Sequence, residues 1–265
     1  MEFPARQWRQ IRRSIALSAV AARGLWRHRY LPRDASRLQC AEWLHETCAR
    51  GFRAIDGQLT IQGQAPTSGL VVSNHLSYLD ILAYSAAVPC VFVSKAEVEQ
   101  WPVFGRYTRW SGSVFVRRHD RGDAARANVS VGDALRNGVP VVLFPEGTTT
   151  DGKQLLRFHS TMLQPAIDAA VPITPCAIRY ELDDGDPSRE VAWWGDMTLL
   201  PHVWNLLGKQ SIRARIIFGV PIQPTGDRKQ LSAVLHEAVA QLRGEMNPTG
   251  CPGSRDFRDP GVCRT

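Results

Sequence analysis

No stretch of the chain reaches the ~18 consecutive apolar residues that a membrane-spanning helix needs, so no such helix is expected. The most apolar part of the amino terminus, Ser14 to Ala22, is too short to span. Arginines precede it and Arg23 follows at once, with no clear cleavage site, so a removable signal peptide is not expected either. Cysteine is sparse and scattered: Cys40, Cys48, Cys90, Cys176, Cys251 and Cys263 form no CxxC pair and no metal-ligand spacing. That excludes a disulfide framework or a cysteine metal site, and points to a reduced, cytosolic compartment. Cys90 and Cys176 lie in apolar runs and read as small core residues. There is no internal repeat, and no RNA- or DNA-binding motif accompanies the basic charge, which argues against a nucleic-acid partner.

What is present is an ordinary globular composition, 44% hydrophobic and 22% charged over 265 residues, enough for one large α/β domain or two small ones. The net charge of +7 is unevenly placed. Arg6, Arg9, Arg12, Arg13, Arg23, Arg27 and Arg29 stand against Glu2 alone in residues 1–30. A basic arm of this kind suits an anionic surface. Residues 4–30 read as a helix on which Trp8, Ile11, Ile15, Ala22, Leu25 and Trp26 share one face, with most arginines on the other and Leu17 and Val20 breaking the pattern. Two readings fit: a helix in the lipid interface with arginines on phosphates, or a helix packing its apolar face on the domain. Ala35 to Phe52 reads as a second amphipathic helix.

From Gln58 short β-rich runs alternate with helical ones. Strands are expected at Leu59–Gln62, Leu70–Ser73, Val91–Ser94, Ser113–Val116, Val139–Phe144, Ile173–Tyr180 and Ile212–Val220. Helices are expected at Tyr78–Ala87, Ala124–Asn137, Thr161–Ala170 and Arg228–Gly244. The alternation predicts an α/β domain with a mixed, largely parallel sheet flanked by helices. The chain divides into amphipathic helices at 1–52, a catalytic domain at 53–245, and a Gly-, Pro- and charge-rich tail at 246–265 that reads as disordered.

Three segments carry chemistry. In Val71 to Asp80 an apolar strand ends at Ser73 and a helix begins near Ser77. On one continuous helix His75 and Asp80 would point about 140° apart. With His75 in the loop and Asp80 in the first turn, the carboxylate can reach one imidazole nitrogen and leave the other free to take a proton. The competing reading is structural, because Ser77 and Asp80 also spell a helix capping box. In Val141 to Thr150 a strand runs into Pro145-Glu146-Gly147-Thr148, with Glu146 just past its carboxyl end and Gly147 permitting unusual backbone geometry. In Gly112 to Arg118 a strand delivers Arg117 and Arg118, a side chain suited to bidentate phosphate binding. Each of the last two is also explicable as a solvated turn or strand end.

Taken together, the blocks N-H-x-S-x-x-D (Asn74 to Asp80), G-x-x-F-I-x-R (Gly112 to Arg118), F-P-E-G-T (Phe144 to Thr148) and a proline-centred apolar block (Val171 to Pro175) resemble the glycerolipid acyltransferase family, which includes the 1-acylglycerol-3-phosphate acyltransferases. The resemblance spans roughly residues 55–220. It implies that His75 is the general base and that Asp80 orients it. An acceptor hydroxyl would attack an acyl thioester, acyl-CoA or acyl carrier protein, without an acyl-enzyme, consistent with the absence of a G-x-S-x-G elbow. It implies no cofactor and no metal, an acceptor held by Arg118 with Arg117, Lys95, Asn74, Glu146, Gly147 and Thr148, and work at the cytoplasmic face of an anionic cell membrane, peripheral or monotopic. The first acceptor it implies is 1-acylglycerol-3-phosphate. Thr149 and Thr150, however, stand where the family often has Arg-Ser. A branch that acylates other lysolipids, including lyso-ornithine lipid, carries a similar Thr-Thr run. A non-catalytic lipid-binding module on the same scaffold is the remaining alternative.

Overall fold

A computed structural model describes residues 3–100, 104–116, 121–224, 226–246 and 255–256. The chain opens with two helices, α1 (Phe3–His28) and α2 (Arg37–Ala54). The second starts where Ser36 and Gln39 form a reciprocal cap: the Ser36 hydroxyl accepts from the Gln39 N–H at 3.2 Å, and Gln39 Oε1 accepts from the Ser36 N–H at 2.8 Å. There follow β1 (Gly57–Gln62), β2 (Leu70–Ser73), α3 (Leu79–Ala87), β3 (Val91–Lys95), α4 (Phe104–Trp110), β4 (Val114–Val116), α5 (Arg121–Arg136) and β5 (Val141–Leu143). The chain continues through α6 (Gln164–Asp168), β6 (Ile173–Glu181), α7 (Pro187–Glu190), α8 (Leu199–Leu207), β7 (Ile212–Phe218), α9 (Arg228–Glu245) and the two-residue β8 (Arg255–Asp256).

The strands form one sheet in the order β4-β3-β5-β2-β6-β7-β1-β8. The pairs from β4 to β6 are parallel, β6–β7 is antiparallel, β7–β1 parallel and β1–β8 antiparallel. This is the mixed, largely parallel sheet expected from the sequence. The central strands are buried on both faces, as parallel sheets covered by helices require: all four residues of β2 and all three of β5 are buried. Cys90 and Cys176 are fully buried among apolar neighbours. Adjacent strands β2 and β5 send their connections in opposite directions, β2 through α3 toward β3 and β5 toward β6. Their carboxyl ends therefore form a topological switch point, where open α/β sheets bind ligands.

The amino-terminal helices are part of the folded body. Trp43, Leu44, Cys48 and Phe52 of α2 join the same core as residues of β2, β6 and β7. Helix α1 is built differently from either expectation. Its inward side is the polar one. Arg13 is completely buried and donates to the carbonyls of Leu207, Lys209 and Gln210 and to Asp56. Gln10 donates to Trp204 O at 2.9 Å, and Leu17, which broke the sequence pattern, packs on the core. Arg6, Arg9, Arg12 and Arg27 bond to Asn205, Gly208 O, Asp56 and Glu46. The arginines expected on lipid phosphates are therefore largely engaged inside the protein, while Trp8, Ile11, Ile15 and Trp26 face solvent. At the other end, disorder does not begin at Met246, which is buried. Arg255 and Asp256 pair with β1, and the remainder of the tail lies outside the described residues.

Candidate active site

The parallel register sets the site. Val72 of β2 lies opposite Leu143 of β5, so His75 and Glu146, each three residues further on, emerge side by side at the carboxyl edge. The His75 N–H donates to Glu146 Oε1 at 2.9 Å. On the other flank β6 ends its pairing with β2 at Ser73–Cys176. There Asn74 extends the ladder with its side chain, its amide donating to Ile178 O at 3.0 Å and accepting from Ile178 N at 2.9 Å. Asn74 is buried and both ends of its amide are occupied. In these contacts it holds the loop.

His75 and Asp80 meet. Nδ1 lies 2.7 Å from Asp80 Oδ2, and the carboxylate is fully buried while the imidazole side chain keeps 20% exposure. A carboxylate only accepts, so Nδ1 carries the proton and Nε2 presents its lone pair. Nε2 makes no hydrogen bond among the described residues. Asp80 Oδ2 also accepts from the N–H groups of Leu76 at 2.7 Å and Ser77 at 3.1 Å. The capping-box reading is thus half realised. Asp80 reaches back to the Ser77 backbone, but the buried Ser77 hydroxyl has no hydrogen-bond partner. The other carboxylate oxygen, Oδ1, accepts from Tyr180 Oη at 2.7 Å. Tyr180, on β6, lies a hundred residues away and in none of the motif blocks, and sequence reasoning missed it. The one signal available was a tyrosine near the end of a mostly buried strand.

The loop around His75 has little freedom. Its carbonyl accepts from Thr150 N at 3.0 Å, and that of Leu76 accepts from Trp193 N at 2.8 Å. Phe144 lies flat on the imidazole, with ring centroids 4.0 Å apart at 9°. The turn that follows is closed by Gly147 N to Phe144 O at 3.0 Å, and Gly147 takes φ 74°, where a side chain would be strained. Glu146, expected at the substrate, is buried. Its second oxygen accepts from Leu156 N at 2.8 Å, so the carboxylate pins two loops together. Burial pushes its carboxyl up, opposed by those two N–H bonds and by the charges of His75 and Arg243. Arg243, on α9, also bonds to Gly152 O and anchors the same loop.

Thr148 is exposed on that loop. Lys95 is exposed at the carboxyl end of β3, opposite Val116 of β4. Arg117 and Arg118 follow Val116 directly and lie outside the described residues.

An aspartate-oriented imidazole with an open nitrogen, at the carboxyl edge of a sheet switch point, can take a proton from a hydroxyl and give it to a leaving group. Comparison with known proteins agrees in kind. The acyltransferase family profile matches residues 58–179. The lyso-ornithine lipid O-acyltransferase of Pseudomonas aeruginosa is 35% identical over 211 residues, covering 78% of this chain and 79% of that one. The 1-acyl-sn-glycerol-3-phosphate acyltransferase of Neisseria meningitidis is 35% identical over 153 residues, covering 58% and 60%. The chain belongs to the acyltransferase family. Its fold is that of the crystal structure of the 1-acyl-sn-glycerophosphate acyltransferase PlsC from Thermotoga maritima, with a TM-score of 0.71 at 20% identity over 95% of this chain and 100% of that one.

Proposed function

We propose that the protein transfers a fatty acyl group from a soluble thioester, acyl-CoA or acyl carrier protein, to the free hydroxyl of a lysolipid in a bilayer. The observation that carries this reading is the His75–Asp80 contact of 2.7 Å with Nε2 unengaged. In the reaction Nε2 takes the acceptor hydroxyl proton as its oxygen attacks the thioester carbonyl. The carbon–sulfur bond breaks, the thiolate leaves, and the imidazolium returns the proton to it. Asp80 stabilises the imidazolium meanwhile. Lys95, Arg117, Arg118 and Thr148 are the groups proposed to meet the acceptor's polar end, and no cofactor or metal enters these steps.

Two observations favour lyso-ornithine lipid over lysophosphatidic acid. The relative named for it aligns over 78% of the chain, against 58% for the relative named for the phosphate acceptor. In addition, Thr149 and Thr150 replace an expected arginine and serine. The enzyme is proposed to sit peripherally on the cytoplasmic face of the cell membrane. No helix among the described residues is long and apolar enough to cross it. The row Trp8, Ile11, Ile15 and Trp26 on α1 supports that position, with Trp8 and Ile15 both 66% exposed.

The test is thioester-dependent acylation on vesicles with both donors and both acceptors, alongside His75→Ala. The variant is expected to lose about 10²–10⁴-fold of the rate. Full activity in the variant, or no product from any pairing, would sink the proposal. Preference for lysophosphatidic acid would overturn only the acceptor assignment.

A further inference from the structure

Away from His75, α1 and α2 enclose a surface pocket of about 510 Å³ that shares no lining residue with the catalytic loop. Its walls are aromatic: Trp26 from α1, Tyr30 from the turn that follows it and Trp43 from α2. Trp26 and Tyr30 meet edge to face with centroids 4.9 Å apart. Trp43 is immobilised, its Nε1 donating to Gly24 O at 2.9 Å and its ring stacked on Tyr107 at 5.1 Å. The charges lining the pocket are sorted. Glu46 bonds to Arg27 and, at 3.1 Å, to Arg50, which stands outside the lining, so its charge is compensated. Glu42, one helical turn earlier on α2, is exposed and has no ion pair among the described residues.

We propose that this pocket binds the headgroup of a zwitterionic phospholipid, with its ammonium between the aromatic rings and beside Glu42 and its phosphate toward Arg27. The faces of tryptophan and tyrosine attract ammonium groups, tryptophan most strongly. A single uncompensated carboxylate supplies the counter-charge, and the neighbouring guanidinium matches the phosphate. A bare anion would meet Glu42, and a bare cation would forgo the rest of the Arg27 guanidinium, which Glu46 engages through Nη1 alone. Trp26 and Tyr30 also continue the exposed apolar side of α1, with Tyr30 71% exposed. The pocket therefore opens at headgroup depth if that side lies on lipid, and in this respect the assignment rests on the membrane position proposed above.

The experiment separates the two. With the full chain in solution and no bilayer present, tryptophan fluorescence is titrated with glycerophosphocholine, tetramethylammonium and sn-glycerol 3-phosphate. Glycerophosphocholine is expected to bind saturably, tetramethylammonium more weakly and glycerol phosphate weakest. Glu42→Gln, a conservative change at an exposed position, is expected to weaken glycerophosphocholine about tenfold, as loss of one favourable charge contact would. Vesicles of two-thirds phosphatidylglycerol are then completed with either phosphatidylcholine or an uncharged galactolipid. Wild type should prefer the phosphatidylcholine set, and Glu42→Gln should bind both alike. Glycerol phosphate binding as well as glycerophosphocholine, or Glu42→Gln matching wild type, would overturn the pocket assignment. Equal binding to both vesicle sets would overturn it as well while leaving membrane docking intact. Saturable, Glu42-dependent binding in solution with no binding to any vesicle would support the pocket and refute the docking.

Discussion

Along residues 75–77 every backbone N–H donates to a buried carboxylate, from Glu146 or Asp80, whereas along the outer side of α1 Trp8, Ile11, Ile15 and Trp26 are 48% to 66% exposed. The backbone of the first region is satisfied within the protein, and the loop presents His75 Nε2 unengaged. The second leaves apolar area in water, which the docking proposed above would cover. A catalytic loop gains from order, because a base held in place loses nothing to reorientation when the proton moves. A docking surface gains from being incomplete. The same division separates the two histidines near Tyr78. His202 donates through Nε2 to Ala192 O at 3.1 Å and accepts from Tyr78 at 3.0 Å, so both its nitrogens are spent and it has no proton-transfer role to offer.

Four experiments would break or sharpen that contrast. The largest effect is expected from Asp80→Asn, which keeps the shape but removes the charge that stabilises the imidazolium. The acylation rate should fall about 10²–10⁴-fold with vesicle binding unchanged, and a parallel loss of vesicle binding would show that the two regions are not independent. Next comes the mirror experiment. Replacing Trp8, Ile11 and Ile15 together by serine should weaken vesicle binding about 10²-fold or more, since each side chain gains about 1.5–3 kcal/mol on full burial. The rate on a water-soluble acceptor should be untouched. If binding persists, the outer side of α1 is not the docking face.

A smaller effect is expected from Tyr180→Phe. The hydroxyl donates to Asp80 Oδ1, and a hydrogen bond to a charged group contributes about 1.5–3 kcal/mol, so kcat should fall roughly tenfold with KM unchanged. A fall in thermal stability with kcat unchanged would reduce Tyr180 to a packing residue. The smallest effect concerns stability. Burial lowers the pKa of His202 and of His28. The unfolded chain therefore takes up these protons first as pH falls below the ordinary imidazole value of about 6.5. Stability is complete above that pH and is lost through the window beneath it. Melting temperature should drop between pH 7.5 and 5.5, by a few degrees where about 1 kcal/mol is involved, and His202→Gln should flatten the slope. An unchanged slope would mean that other groups dominate.

The central strands and the His75–Asp80 pair were legible because both are local. The strands Leu70–Ser73 and Val141–Leu143 are uninterrupted apolar runs, and five residues of loop and helix suffice to bring a carboxylate to an imidazole. What was not legible depends on partners distant in sequence. Tyr180 matters only because β6 lies beside β2, and the backbone groups that Asn74 and Glu146 bond come from Ile178 and Leu156, distant in sequence. Helix α8 escaped because Leu199–Leu207 is short and carries Pro201 in its first turn. The outer side of α1 was traced correctly as a row and misassigned in its charges, since periodicity groups side chains by direction without telling which direction is inward. Here a buried arginine, Arg13, turns the polar side in.

The way α1 is fastened bears on how this surface can change over time. Tyr107 Oη donates to Ala21 O at 2.6 Å and Trp43 Nε1 to Gly24 O at 2.9 Å, so two of the ties grip the main chain of α1 and are indifferent to which residues it carries. Gly24 itself is constrained, because a Cβ there would fall 2.5 Å from the Tyr107 hydroxyl. Its outward neighbours are not. Substitutions among Trp8, Ile11, Ile15, Ala19 and Ala22 leave those two ties and the Arg13 contacts in place, so the lipid preference of the docking face proposed above can change while the catalytic machinery behind it stays as it is.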